Sequence, residues 1–408
     1  MKILLLNTLY APNLHGGAER SVQQLAEELT RHGVDAVVAS TGGERNQAGD
    51  ARRINGVKVV YLPIANLYWP FDRDTRSPGQ RKLWHLADIY NPVMKAAVTR
   101  LIEDERPDVV HTNNLQGISV SAWHAAKAAR VPILHTLRDY YLTCGRCSRY
   151  RDGENCERTC WDCLPLMLAR RRASALVDGV VGVSRFIRDH HDRLGFFRHA
   201  RVHRVIYHFT APTRTTDKPA AKARLRFGYL GRLTPAKGLD VMLDAFARQT
   251  RSDWELCVAG EGDEAYTTSL RARYAEMEHR GVVRFVGAVD GAEFLAQIDV
   301  AVVPSSWNEP LARVIGEAYA AGVPVIASRS GGIPEIVQDA VNGRLFDCGD
   351  AAAMSHLVAE FLDDPMQSRR LGENARRSLA ADVRPVAALY LDAYEAVAQA
   401  PAANISSR

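Results

Sequence analysis

Short β-branched runs alternate with longer amphipathic stretches along nearly the whole of this 408-residue chain, and that rhythm restricts the fold more than any other feature. Strands separated by a helix's length of chain run parallel, and a parallel sheet must be covered by helices on both faces. Strands are expected at residues 3–6, 36–39, 57–62, 108–111, 133–136, 180–183 and 202–206. Segment 18–31 places Val22, Leu25, Ala26 and Leu29 at helical spacing and stops at Gly33, which describes a helix with one apolar face. From 210 to 222 the sequence TAPTRTTDKPAAK is polar and aperiodic and reads as a linker. The alternation then restarts, with strands expected at 226–230, 255–259, 283–286, 300–303, 325–327 and 344–346, and a last helix at about 383–398.

The pattern describes an α/β chain of two Rossmann-like domains, 1–210 and 211–380, with segment 381–408 forming a helix that returns to the first. Ligands of open α/β sheets bind outside the carboxyl ends of the strands, so the chemistry should follow strands and line a cleft between the two facing domains. A composition of 47% hydrophobic and 24% charged residues fits a globular protein. The net charge of +5 suits phosphorylated ligands or an anionic membrane surface and is too small to argue for nucleic acid. The opening MKILLLN reads as a buried strand and not a signal peptide, and no apolar run approaches the roughly 20 residues of a membrane span. A cytoplasmic location is therefore expected, where the seven cysteines would be thiols or metal ligands.

The segment PSSWNEPLARVIGEA follows the expected strand 300–303 and carries Glu309 and Glu317 eight positions apart. On a helix that spacing advances about 12 Å and turns about 80°, so both acids would lie on one side, with free amides at Leu311 and Ala312 facing an anion. On spacing alone, two solvated acids on an exposed helix fit equally well. HGGAE at 15–19, PDVVH at 107–111, GRLTPAKG at 231–238, AGEG at 259–262, RFVGAV at 284–289 and SGGIPEIV at 330–337 stand in one order with it along the chain. This set resembles the retaining glycosyltransferases of family 4, which have the GT-B fold.

The resemblance implies a transferase that moves a hexose from a UDP- or GDP-sugar to an acceptor hydroxyl on a glycan or lipid-linked acceptor, as in bacterial cell-surface polysaccharide or glycolipid synthesis, with no cofactor required. It implies Arg232 and Lys237 at the donor diphosphate, Glu309 at hydroxyls of the transferred sugar, Glu317 at the ribose and backbone near Val289 at the base. Fixed cations suit that role, since they stabilise the charge on a leaving diphosphate without a metal ion. Gly16 and Gly17 would let the backbone approach a phosphate at a helix start, although a Gly-Gly pair serves a tight turn as well. His111 would meet the donor sugar through its ring or carbonyl. Two rivals stay open: a nucleotide-sugar epimerase of the same fold, and a non-catalytic, metal-stabilised binding protein.

Three stretches are less regular. Many relatives show a His-Asp pair after the fifth strand, where this chain has Arg138 and Asp139; Asp139 would orient the acceptor and Arg138 would read an anionic group. Between 170 and 204 nine Arg stand against three Asp, interleaved with Phe186, Phe196 and Phe197, which suits either an anionic membrane or lipid-diphosphate surface or a solvated helical face. Cys144, Cys147, Cys156, Cys160 and Cys163 fall within twenty residues in the spacing C-x2-C, eight residues, C-x3-C-x2-C. Structural zinc on four of the five is the expectation, with reduced thiols, disulfides and an iron–sulfur cluster as alternatives.

Overall fold

The computed structural model describes residues 1–14, 16–42, 49–72, 76–209, 224–381 and 384–399. The expected linker, 210–222, lies outside them. Contacts divide the chain into two units: Met1–Arg149, Glu157–His208 and Arg384–Arg408 in the first, and Tyr150–Cys156 with Phe209–Val383 in the second.

The first unit holds β1 (Lys2–Leu6), β2 (Asp35–Thr41), β3 (Ala51–Ile54), β4 (Val57–Leu62), β5 (Val109–Thr112) and β6 (Ile133–Leu137). The short strands β7 (Tyr150–Arg151) and β8 (Glu154–Asn155) form a separate hairpin that belongs to the second unit, and β9 (Gly179–Gly182) and β10 (Val202–Val205) return to the first. The sheet runs β10-β9-β6-β5-β1-β2-β4-β3 and is parallel apart from the β3–β4 pair. The Gly17–Arg31 helix buries Val22, Leu25, Ala26 and Leu29 against Ile3, Leu5, Val38 and Val59. The Val386–Gln399 helix completes that core with Val386, Ala387, Tyr390, Ala393, Tyr394 and Val397, so the last helix does pack on the first unit. The antiparallel edge strand β3 escaped the sequence reading because three of its four residues are exposed and leave no apolar alternation.

The second unit holds β11 (Leu225–Leu230), β12 (Trp254–Ala259), β13 (Val283–Gly287), β14 (Val300–Val303), β15 (Val325–Ser328) and β16 (Gly343–Phe346), all parallel, in the order β13-β12-β11-β14-β15-β16. Alternation along each strand feeds two cores. Val300, Val302 and Ile326 point to one face, packed with Leu239, Met242 and Val358, while Ala301, Val303, Val325 and Ala327 point to the other, packed with Ile315, Ala318 and Tyr319. A strand buried on both faces needs an unbroken apolar run, which is why Val300–Val303 reads so plainly in the sequence.

Candidate active site

In the second unit the strand order reverses at the β11–β14 neighbours, so the chain leaves these two strands in opposite directions and opens a crevice at their carboxyl ends. The turn after β11 carries Lys237 at the end of the Pro235–Lys237 single-turn helix, and the loop after β14 carries Glu309. Lys237 Nζ lies 2.5 Å from Glu309 Oε1, and Ser305 Oγ donates to the same oxygen at 2.6 Å. Glu309 is only 4% exposed, so its charge is held in a dry place by these two donors. The Lys237 ammonium also lies 5.4 Å from the centre of the Trp307 ring, within cation–π range.

Backbone packing fixes both loops. Gly238 has φ 70°, and an added Cβ there would overlap the Pro304 carbonyl oxygen. Gly331, φ 54°, sits directly on the Glu309 backbone, and Gly332 N–H donates to Glu309 O at 2.8 Å. Only glycine allows such approaches. Ser328 Oγ donates to Ser305 O at 2.7 Å, Ser330 Oγ donates to Trp307 O, and Ser306 N–H donates to Ala236 O at 3.0 Å. The carboxylate and the ammonium are thus set by rigid neighbours before any ligand arrives.

The remaining expected donor residues lie around this crevice, with one correction. The helix begins at Arg313, so Glu309 sits in the loop four residues before it and not on its first turn; the two acids do not share a helical face. The backbone cannot be helical there because its groups are committed to Gly332 and the serines. Leu311 and Ala312 precede the helix, and among the described residues their N–H groups meet no acceptor. Glu317 Oε1 accepts from Arg313 Nε at 2.7 Å, one helical turn earlier. Arg232 is exposed and has no carboxylate partner among the described residues, and Val289 is exposed after β13.

The first unit has its own reversal at β1 and β5. Gly17 opens the helix after β1 and Gly16 caps it in an extended conformation, φ −165°; His15 lies outside the described residues. The His111 ring, one of the two groups expected to meet the donor sugar, is taken up inside the first unit. It is fully buried, Nδ1 lies 2.8 Å from Tyr394 Oη and Nε2 2.8 Å from Thr136 Oγ1, so neither nitrogen is left for a sugar. Burial, reinforced by Arg138 and His135, holds the imidazole well below its usual pKa, and it stays neutral. Arg138 does not face a ligand either: it is 8% exposed, donating to Asn113 Oδ1 at 2.8 Å and to Tyr390 Oη at 3.5 Å. Asp139 is half-buried and accepts from Tyr141 N–H at 2.8 Å; burial, with Glu19 adding to it, pushes its carboxyl up to about 7.

Comparison with known proteins places this geometry. The family model for the glycosyl transferase 4-like domain matches residues 16–208, and the model for glycosyl transferases group 1 matches residues 214–378. The chain belongs to the group 1, family 4-type glycosyltransferases. It is 37% identical over 336 residues, 82% of its length, to an uncharacterized 42.6 kDa protein in the cps region of Klebsiella pneumoniae, covering 87% of that protein. It is 30% identical over 244 residues, 52% of its length and 70% of the other's, to the lipopolysaccharide core biosynthesis glycosyltransferase LpsE of Rhizobium meliloti. Anabaena Alr3699/HepE, solved in complex with UDP-glucose, superposes with a TM-score of 0.73 at 20% identity over 98% of this chain and 100% of that one, which shows a shared GT-B fold.

Elsewhere in this glycosyltransferase lie the cysteine cluster and the Arg-rich stretch. None of the five clustered cysteines is disulfide-bonded, and among the described residues no group of three or more Cys, His, Asp or Glu side chains is disposed to hold a metal ion. Cys144 and Cys163 share a hydrogen bond that draws the first thiol below its usual range and pushes the second above it. Cys147 lies 3.7 Å from Gln116 Oε1. The Arg-rich stretch is part surface and part core: Phe186 is half-buried and Arg185, Arg193 and Arg198 are exposed. Phe196 and Phe197 are buried among Trp123, His135 and His191, and Arg170 is fully buried, 3.3 Å from Asp88 and stacked 3.8 Å over Tyr141. Arg170 and Tyr141 counter the burial that pushes Asp88 up to about 7. Sequence reasoning also missed Ser305, whose only signal is its place between a strand and Glu309.

Proposed function

We propose that this glycosyltransferase moves a hexosyl group from a UDP- or GDP-sugar to the hydroxyl of a glycan or lipid-linked acceptor, with retention of anomeric configuration and without a metal ion. The observation that supports it is the Lys237–Glu309 pair at 2.5 Å in the crevice between β11 and β14, with an exposed Arg232 that has no carboxylate partner among the described residues.

Lys237 and the exposed Arg232 supply two positive charges to the diphosphate, and the amides of Leu311 and Ala312 supply donors to the same anion. Glu309, held by Lys237 and Ser305, accepts from hydroxyls of the transferred sugar. Glu317 keeps its second oxygen for the ribose hydroxyls while Arg313 holds the first. Val289 lies where the base would rest. In the reaction the bond from the anomeric carbon to the diphosphate oxygen breaks and the acceptor oxygen bonds on the same face. The acceptor proton passes to the leaving phosphate oxygen. Charge grows on the diphosphate as this happens, so cations fixed in advance act most strongly in the transition state. No Asp-x-Asp motif stands where the diphosphate is expected, and the side-chain cations fill the part a metal ion would play.

A role in cell-surface polysaccharide or glycolipid synthesis draws support from the similarity to LpsE. The test is release of UDP or GDP from the sugar nucleotides with and without glycan and lipid-linked acceptors, followed by the anomeric configuration of the product by NMR. Acceptor-dependent release with a retained anomer supports the reading. Conversion of the sugar nucleotide without an acceptor would make the protein an epimerase, and no turnover at all would make it a binding protein.

A further inference from the structure

The hairpin of β7 and β8 is a two-pair ribbon lying in the sequence between pieces of the first unit, yet its contacts place it in the second. Its turn, Asp152-Gly153, has φ 53° and φ 87°, the left-handed pair of a type I′ turn, so the ribbon is preset by its own sequence. Residues 151–154 are exposed, and a ribbon this short has little stability alone. What it presents is Asn155. The Asn155 side-chain amide donates through Nδ2 to Ser306 O at 2.8 Å, and its Oδ1 accepts from Asn308 N–H at 2.8 Å. The two bonds bracket Trp307, and the second ends on the residue next to Glu309. A primary amide that donates to one peptide and accepts from another two residues on fixes that stretch of backbone at two points. Ala236, Ser328, Ser330 and Gly332 anchor the loop from within 224–381, and Asn155 reaches it from far back in the chain, 151 residues before Ser306.

We infer that Asn155 is a positioning residue of the transfer reaction: by clamping the Ser306–Asn308 backbone it sets the Glu309 carboxylate against the sugar of the donor. This rests on the reading of Glu309 as the sugar-contacting acid. The clamp acts on the sugar end of the donor, because Lys237 and Arg232 stand on the other loop.

Calorimetric titration of the full-length protein with UDP, UDP-glucose, GDP and GDP-mannose, using whichever pair binds, separates the two ends of the donor. Glu309→Gln should narrow the affinity gap between the sugar nucleotide and its nucleoside diphosphate. Asn155→Ala should narrow it in the same sense and lower kcat by about tenfold, the loss of two hydrogen bonds, with nucleoside diphosphate affinity unchanged. Asn155→Asp, which keeps the acceptor for Asn308 N–H and loses the donor to Ser306, should fall between. The double variant Asn155→Ala/Glu309→Gln should be no worse than Glu309→Gln alone, since the clamp acts through that acid. If Asn155→Ala leaves the gap and kcat unchanged, weakens both ligands equally, or adds fully to Glu309→Gln, the inference is overturned while the donor reading stands. If Glu309→Gln itself leaves the gap unchanged, it is the donor reading that fails.

Discussion

The two sheets reverse strand order in the same way, yet they spend their polar residues differently. At the β11–β14 reversal, Lys237 and Glu309 are held against each other and by Ser305, while Arg232 is exposed and the amides of Leu311 and Ala312 meet no acceptor among the described residues. At the β1–β5 reversal, His111, Arg138 and Thr136 are consumed in a hydrogen-bonded network with Tyr390 and Tyr394 of the terminal helix. The β1–β5 crevice is stabilised by what it holds, and the β11–β14 crevice keeps polar groups available for chemistry. A histidine or arginine at the end of a strand is therefore no guide to catalysis until its partners are known.

The largest effect should come from the loaded side. Lys237→Ala or Arg232→Ala should lower turnover by roughly 100- to 1000-fold, about 3–4 kcal/mol, with an unchanged circular dichroism spectrum, because each acts on charge that grows in the transition state. Near-normal rates in both variants would dissolve the contrast between the two crevices.

The sealed side should answer in stability instead. His111→Ala takes the partner from the Tyr394 hydroxyl in a dry core, leaves Thr136 only its bond to Tyr390 and opens a cavity, and should cost about 2–4 kcal/mol in denaturant unfolding. The kcat/KM of the folded fraction should stay within about threefold of wild type. A large loss of turnover at unchanged stability would return His111 to the donor.

Asp139 offers a finer test at the edge of the sealed side. Its pKa rises on folding from 3.8 to about 7, so between those values the folded chain binds more protons than the unfolded one. The group's contribution to stability is full below pH 3.8 and is lost as pH rises through about 7. Asp139→Asn should remove that part of the pH dependence, leaving the variant less sensitive across this window and gaining on wild type above it. Thermal unfolding from pH 4 to 8 checks it, and parallel curves for the two proteins would contradict it. The smallest effect concerns metal: prolonged EDTA should leave the transfer rate unchanged, and the purified, untagged protein should carry no stoichiometric zinc. Loss of activity on chelation would overturn both the metal-free mechanism and the free-thiol account of the cysteines.

What the sequence made legible follows from range. The buried strands, the Gly17–Arg31 helix and the order of motifs depend on residues close in the chain, and the strands appear within one or two residues of where they were expected. Glu309 and Lys237 were singled out through the family motifs that carry them, and their contact across 72 residues was not read from the sequence. The failures are long-range. His111 is sealed by Tyr394, 283 residues later, and nothing around His111 announces it. The Phe196 and Phe197 rings look like surface until Trp123 and His135 are brought to them. The loop that holds Glu309 resembled a helix start because its spacing fits one; only its bonds to Gly332, Ser328 and Ala236 show otherwise.

One titration sets the two crevices directly against each other: the dissociation constant of the cognate nucleoside diphosphate, UDP or GDP, measured by calorimetry in wild type, Lys237→Ala and His111→Gln. Affinity should fall about tenfold or more in Lys237→Ala, the loss of one charge-assisted contact, and stay within about twofold in His111→Gln. The reverse pattern, with Lys237→Ala unaffected and His111→Gln weakened, would contradict the assignment of the donor to the β11–β14 crevice.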